Sequence, residues 1–361
     1  MAHTSGHGIL QAAILKSMAS GVSIEILDLR HFAAAVMRPL LEAEGDLWLK
    51  RLHWDYRTSA RLLMQYLDSH MLPGYAAVEG GQVTGYAFCV YEESKAVIGD
   101  VFAVSGLLPE PADTFEATFR DTHPDTELEP ARELEERLLR HLFETLQNSP
   151  HVDRIESQLL LHPSGAHSAI FEEAGFGIYP RLFMVQQLDD RDTAVPVKLP
   201  VDLEMRGWRD DDLNAAGRLI SEAYAGHPDS VINDQYRSPH GSLRFLHNIV
   251  RYSGCGTFSP PVSHVVVERE TRELAALVLG SRVSPQSGHI TQLCVRPRYR
   301  RHGIGRMLLS TAAAAFTRQG VREISLTVTG ANATAIELYR SEGYECAHIF
   351  DAAVWERSRF A

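Results

Sequence analysis

Residues 295 to 305 read Val-Arg-Pro-Arg-Tyr-Arg-Arg-His-Gly-Ile-Gly, and their types and spacing suit them to hold an anion. Glycines at 303 and 305 let backbone N–H groups come close to a ligand, because no Cβ stands in the way. A helix opening here would add partial positive charge at its N-terminus, and Arg300, Arg301 and Arg306 add full charges. The implied ligand is a phosphate or pyrophosphate. Two familiar phosphate loops do not fit. The P-loop needs Gly-Lys followed by Ser or Thr, and here Gly305 is followed by Arg306. The dinucleotide fingerprint needs a third glycine, where this chain has Leu308, and an acid at the end of a later strand, whereas Glu323 begins one.

The flanking elements must position this turn. The apolar run Ile290 to Val295 predicts a strand leading in, and Ile304 to Arg318 predicts a helix leading out. Leu308, Leu309, Ala312 and Phe316 fall at helical spacing as a core face, with Gly320 as the C-terminal cap. Val265 to Glu268 and Leu274 to Val283 read as a hairpin, and Asp210 to Tyr224 as an amphipathic helix with Leu213, Ala216, Leu219 and Ile220 inward. Arg322 to Val328 alternates as a further strand, so this part of the chain is a mixed α/β sheet.

Arg300-x-x-Gly303-x-Gly305 after a strand resembles the acetyl-CoA pyrophosphate loop of the GNAT acetyltransferase superfamily. A second stretch supports the match: Asn332, then Ile336 to Tyr344, with Leu338-Tyr339 and Gly343-Tyr344, is similar to that family's second signature. The resemblance covers residues 201 to 361. It implies a splayed strand whose end, Leu293, Cys294 and Val295, offers its backbone to the thioester. It further implies that Arg300, Arg301, His302, Gly303, Ile304, Gly305 and Arg306 form the phosphate turn, and that Asn332 contacts the pantetheine arm. Tyr339 falls on the family tyrosine that protonates the departing CoA sulfur. His289 falls where some members keep a general base, and an imidazole titrating near neutrality could take the ammonium proton. Glu222 and Tyr224 compete for that role, while Gln292, being neutral, can only orient groups. Cys294 reads as a packed thiol, since no base accompanies it. The acceptor pocket is expected between Ser221 and Tyr252, which carries Tyr224, Asp229, Asp234, Tyr236 and His240. Carboxylates among aromatics would suit a cationic amine. Tandem members also resemble mycothiol synthase, but no residue marks that acceptor.

The length, 361 residues, favours two domains. With 46 acidic against 35 basic residues, nucleic acid is not the expected partner. No apolar run has the length of a membrane span, and residues 1 to 21 lack the basic start of a signal peptide. Cys89, Cys255, Cys294 and Cys346 are scattered, as in a reduced, cytoplasmic protein, and no metal site is expected.

The first half repeats the second in outline. Strand patterns at Tyr75 to Glu79, Gln82 to Tyr91 and Ala96 to Val104 precede a helix pattern at Ala131 to Leu146 and a strand at Arg154 to Leu161. Aligned on Gly175 and Gly343, Phe171 stands where Tyr339 does, and Ser164 where Asn332 does. No phosphate turn follows Val104. Instead Glu110 to Arg137 carries ten acidic and three basic residues, which would repel a pyrophosphate. The resulting expectation is an α/β (α+β) protein of two tandem GNAT-like domains, each with a mixed, splayed central sheet flanked by helices. Residues 1–21 would be an extension, 22–190 a degenerate domain that is structural or walls the cleft, 191–200 a linker, and 201–361 the acetyl-CoA-binding domain. The implied activity is N-acetylation of a primary amine of a small molecule or peptide, with acetyl-CoA as co-substrate and a homodimer as one assembly. Two other readings stay open: a non-catalytic acyl-CoA-binding or regulatory module, and an acyltransferase using a longer chain.

Overall fold

The computed structural model describes residues 24–105, 131–189, 199–251 and 256–358. The extension at 1–21, most of the acidic stretch after Glu110, the linker from 191 to 198, Tyr252 and Cys255 lie outside the described residues. The first half runs β1 (Glu25–Asp28), α1 (Ala34–Leu52), α2 (Arg57–Asp68), β2 (Gly74–Glu79), β3 (Gln82–Glu92) and β4 (Lys95–Ala103). It continues with α3 (Arg132–Asn148), β5 (Arg154–Gln158), α4 (Ser168–Glu173) and β6 (Gly177–Gln187). The second half runs β7 (Leu203–Gly207), α5 (Leu213–Ala223), α6 (Asp229–Ile232), α7 (Pro239–Arg251), β8 (Thr257–Phe258), β9 (His264–Glu268) and β10 (Leu274–Arg282). Then come β11 (Ser287–Val295), α8 (Ile304–Arg318), β12 (Glu323–Thr329), α9 (Ala333–Ser341) and β13 (Glu345–Glu356).

The two halves repeat one topology. Antiparallel neighbours lead to a single parallel pair, β4 with β5 and β11 with β12, each joined through a crossover helix, α3 or α8. Gly175 and Gly343 both adopt positive φ, 82° and 87°, where α4 and α9 end, which matches the sequence alignment of the halves.

The halves are nevertheless interlocked. One sheet runs in the order β1-β2-β3-β4-β5-β13-β6-β12-β11-β10-β9-β7, with β8 beside β10. The last strand of each half lies next to the parallel pair of the other. β13 pairs antiparallel with β5 (Ala352↔Gln158 to Glu356↔Arg154), and β6 pairs antiparallel with β12 (Glu323↔Gln187 to Thr329↔Arg181). β6 and β13 also pair with each other. Each half has only one long strand after its α4 or α9, so alone it would leave a strand edge open; the exchange closes both edges.

On one face of the second half, α8 packs its Met307, Leu308, Ala312 and Phe316 against Val278, Ile290 and Leu326. Phe316 lies over two glycines. A Cβ at Gly288 would come within 2.6 Å of its ring, and one at Gly280 within 2.9 Å, so both positions need glycine for α8 to sit this close. That docking fixes where the N-terminus of α8 points. On the opposite face, Ala216, Leu219 and Ile220 of α5 pack on Leu277, Leu279 and Cys294. Burying each of these leucines contributes about 1.5–3 kcal/mol.

Candidate active site

The pairing of β11 with β12 stops at Ile290↔Leu326, although β11 continues to Val295 and β12 to Thr329. β11 keeps its pairing with β10 up to Ala276↔Val295, through a bulge near Leu279 and Gly280. Thr291, at that bulge, donates its hydroxyl to the Leu279 carbonyl at 3.2 Å. The two parallel strands therefore splay apart, and the backbone of Leu293, Cys294 and Val295 borders the opening.

The predicted phosphate turn stands at the tip of this opening. Pro297–Tyr299 makes a short 3-10 turn, Arg301 and Gly303 adopt positive φ (68° and 74°), and α8 begins at Ile304. Gly303 is the N-cap and offers no side-chain acceptor, so the first N–H groups of α8 are left for a ligand. Ile304 turns its side chain into the core, 1% exposed, which holds its N–H at the mouth. Gly305 has ordinary room on its inner side, with Leu338 at 3.4 Å from a built Cβ. The arginines divide. Arg301 is exposed and makes no ion pair among the described residues. Arg306 pairs with Glu342 (2.7 Å) and Ser341 (2.8 Å). Arg300, expected on the phosphates, instead donates to the carbonyls of Val295 (3.2 Å) and Ala223 (2.6 Å), tying the end of β11 to the end of α5. His302 folds back on the Arg300 carbonyl at 2.9 Å.

A polar cluster gathers residues from the end of α5, from α6, from the 3-10 turn Asp234–Arg237 and from β11. The rings of Tyr224 and Tyr236 stack with centroids 4.3 Å apart. Gln292 is clamped by both: its amide donates to the Tyr224 hydroxyl (3.0 Å), and its oxygen accepts from Tyr236 (3.2 Å). Burial raises the Tyr224 phenol well above its usual value, and Tyr236, Asp229, Cys294 and Tyr339 add to the rise. The Tyr224 hydroxyl also lies 3.5 Å from the Leu293 carbonyl, while the Tyr339 ring packs in the core beside Tyr344, centroids 5.9 Å apart. Tyr339 is also raised, by burial first and by the Asp229 carboxylate second, so it stays protonated across the physiological range. Asp229 accepts from the Thr329 hydroxyl and lies 3.7 Å from His227 Nδ1. Burial pushes the Cys294 thiol up to about 12, which makes it a packed neutral group, as expected from sequence.

The geometry weighs against two of the expected bases and narrows the part of Asn332. His289 is no base: its ring is edge-on to Trp54 (5.0 Å) and stacked on Phe183 (6.2 Å), with Nδ1 2.9 Å from Ser325 Oγ. Burial, with the positive charge of Arg181, depresses it to about 3, leaving it neutral and too weakly basic to hold an ammonium proton. Glu222 is half exposed and paired with Arg296 at 3.2 Å, away from the polar cluster. Asn332 caps α9 by accepting the Ala335 N–H at 3.2 Å, which engages its oxygen and leaves only its amide N–H groups for a ligand. Asp229 and Arg181, by contrast, escaped the sequence-based assignment of roles. The acid in the acceptor loop was visible; Arg181 comes from β6 of the other half and carried no local signal.

Residues 230–344 match the model of the acetyltransferase (GNAT) family. The chain carries a GNAT-family domain. The described residues have the tandem GNAT fold. A GCN5-related N-acetyltransferase from Sphaerobacter thermophilus superposes with TM-score 0.62 at 16% identity, covering 92% of this chain and 95% of that one. A tandem GNAT protein from the clavulanic acid biosynthesis pathway gives TM-score 0.53 at 14% identity, covering 94% and 100%. A glucosamine N-acetyltransferase region of a fungal multi-domain GH3 beta-N-acetylglucosaminidase gives 0.57 at 13%, covering 93% of this chain and 38% of that one. No curated protein matches the sequence. The GNAT domain makes a general acyltransferase role the coarse assignment, and no helix among the described residues is long and apolar enough to cross a membrane.

The first GNAT-like half has the same splay, with pairing between β4 and β5 ending at Ile98↔Ser157 while β4 continues to Ala103. Its opening is filled by its own side chains. His162 Nε2 meets the Val101 carbonyl at 2.9 Å, and Glu135, in the first turn of α3, accepts the Ala103 N–H at 3.2 Å. A carboxylate thus occupies the helix end that the second half leaves open. The first half also holds the acceptor loop of the second. Buried Arg154 donates to the carbonyls of Val231 and Ile232 and pairs with Glu156 at 2.6 Å, while Lys95 reaches Asp234 at 2.7 Å. Burial would lower Lys95, but Glu156 and Asp234 outweigh it and keep the ammonium charged.

Proposed function

We propose that the chain is an acetyl-CoA-dependent N-acetyltransferase with one working site, in its second half, and a cationic primary amine of a small molecule or peptide as acceptor. The single observation that carries this reading is the uncapped N-terminus of α8 at the tip of a splayed strand. The N–H groups of Gly303, Ile304 and Gly305, with the Arg301 side chain, would hold the pyrophosphate. The backbone of Leu293 to Val295 would align the thioester, and the amide of Asn332 the pantetheine arm. Asp229, set among Tyr224, Tyr236 and Tyr339, would bind the acceptor ammonium and pass its proton to water. The neutral amine then attacks the thioester carbonyl, the C–S bond breaks, the Tyr339 hydroxyl gives its proton to the leaving thiolate, and the proton shed by the attacking nitrogen restores the phenol. Gln292, clamped by two tyrosines, keeps those rings in register and takes no proton. A cytoplasmic protein working as a monomer or homodimer is compatible with this chemistry.

A second reading, a non-catalytic acyl-CoA-binding module, draws on the loss of His289 and Glu222 as bases. One assay separates the two: an amine panel with acetyl-CoA and longer acyl-CoAs, following release of free thiol. Catalysis predicts thiol release that depends on the amine. In that assay Tyr339→Phe should lower kcat about 10–100-fold while acyl-CoA affinity stays within about twofold. Acyl-CoA binding without amine-dependent thiol release would favour the second reading.

A further inference from the structure

Glu135, His162 and His167 meet inside the first half, all buried, around a point that no step of the proposed reaction uses. Glu135 comes from the first turn of α3, and the two histidines from the segment joining β5 to α4. Their inward atoms form a triangle. Glu135 Oε2 lies 3.2 Å from His167 Nε2 and 3.7 Å from His162 Nδ1, and the two nitrogens are 3.3 Å apart. Ligand atoms on a tetrahedral zinc ion with bonds of about 2.0–2.1 Å stand about 3.4 Å from one another. The triangle already has that size.

The outer partners of His162 and Glu135 agree with ligation, while His167 Nδ1 is buried with no hydrogen-bond partner. His162 Nε2 faces the Val101 carbonyl at 2.9 Å, which makes it the donor nitrogen and leaves the Nδ1 lone pair pointing inward. Glu135 Oε1 takes the Ala103 N–H at 3.2 Å, leaving Oε2 free for the centre. Beside the histidines is a cavity of about 20 Å³, also bordered by Ser168 and Asp351. That is room for one water and for no substrate. The cavity borders both histidines but not Glu135, so it offers space for one aqueous ligand on the histidine side and none for the several open positions of an octahedral iron site. Asp351, from β13 of the other half, borders the cavity and accepts from Ser164 Oγ, the Gly165 N–H and Ser168 Oγ.

We infer that Glu135, His162 and His167 form a mononuclear site for a divalent zinc-class ion, completed by one water. The site staples the first turn of α3 to the end of β4. It sits where the second half keeps its helix open for phosphates, so in the first half a metal replaces the cofactor as the ligand that closes the splay.

The test uses the full chain purified from zinc-supplemented medium and dialysed, with metal content measured by mass spectrometry. One zinc per chain is expected. Stripping it with a strong chelator should lower the melting temperature, and adding zinc or cobalt back should restore it, with cobalt giving the visible bands of a tetrahedral N/O site. His167→Ala should lose the metal, whereas His53→Ala, on the exposed surface of the same half, should keep it. Should His167→Ala fail to fold, the chelator and cobalt measurements on the unaltered chain still decide. Metal-free protein that takes up no cobalt, stoichiometric metal in His167→Ala, or iron in place of zinc would each overturn the inference.

Discussion

His289 offers a sharp test of how the two halves share one interior. Its imidazole is depressed to about 3 by burial and by Arg181, whereas in an unfolded chain it titrates near 6.5. Below pH 6.5 the unfolded state takes up a proton that the folded state refuses. The stability contributed by the neutral, packed ring is therefore complete above about pH 6.5 and is lost as pH falls towards 3. One proton corresponds to about 1.4 kcal/mol per pH unit, so between pH 6.5 and 5.0 the loss is about 2 kcal/mol. Replacing His289 with Gln keeps a partner for Ser325 and removes the titration, while the carboxylates contribute equally to both proteins. Urea unfolding of the two proteins at pH 7.5 and 5.0 should show the unaltered chain losing about 2 kcal/mol more than the variant over that interval. Parallel losses would mean that the imidazole protonates in the folded protein. Trp54 and Phe183 would then fail to seal it, and its dismissal as a base would be wrong.

Other perturbations probe the positioning of the site. Arg154→Met removes one of the two cations on buried Glu156, Lys95 remaining at 3.1 Å, and should cost about 1.5–3 kcal/mol. By freeing the carbonyls of Val231 and Ile232 it should also raise KM for the amine while leaving acyl-CoA affinity nearly unchanged, as steady-state kinetics and calorimetry would report. Gly288→Ala drives a methyl against Phe316, built at 2.6 Å, and should lower stability by about 1–3 kcal/mol in denaturant titrations. Asp229→Asn should weaken use of cationic amines about 10-fold or more in kcat/KM without altering the acyl-CoA dissociation constant.

Local chemistry was legible in the sequence wherever a few neighbouring residues determine it. The strand, the glycine turn and the helix from Ile290 to Arg318 follow from periodicity and capping, and so do the core positions Leu308, Leu309, Ala312 and Phe316. The repeat, too, could be read from Gly175 and Gly343. What could not be read is partner choice. β6 and β13 have strand patterns, yet nothing in a strand's own residues says that its neighbours belong to the other half. The error at His289 has the same origin, since Trp54 and Phe183 reach it from the first half. Arg300 looked like a phosphate ligand because it stands in a basic turn, but the Ala223 carbonyl competes for it across the fold. His162 and His167 gave no metal signal in the sequence, because the carboxylate that completes their cluster comes from another element.

The central claim is that two copies of the fold carry one acyl-CoA site. Isothermal titration of the full chain with acetyl-CoA tests it most directly. The account predicts one molecule bound per chain, with binding lost when the turn at Arg301 and Gly303 is altered and unchanged by Glu135→Gln. Two molecules per chain, or binding that survives disruption of the turn, would contradict it.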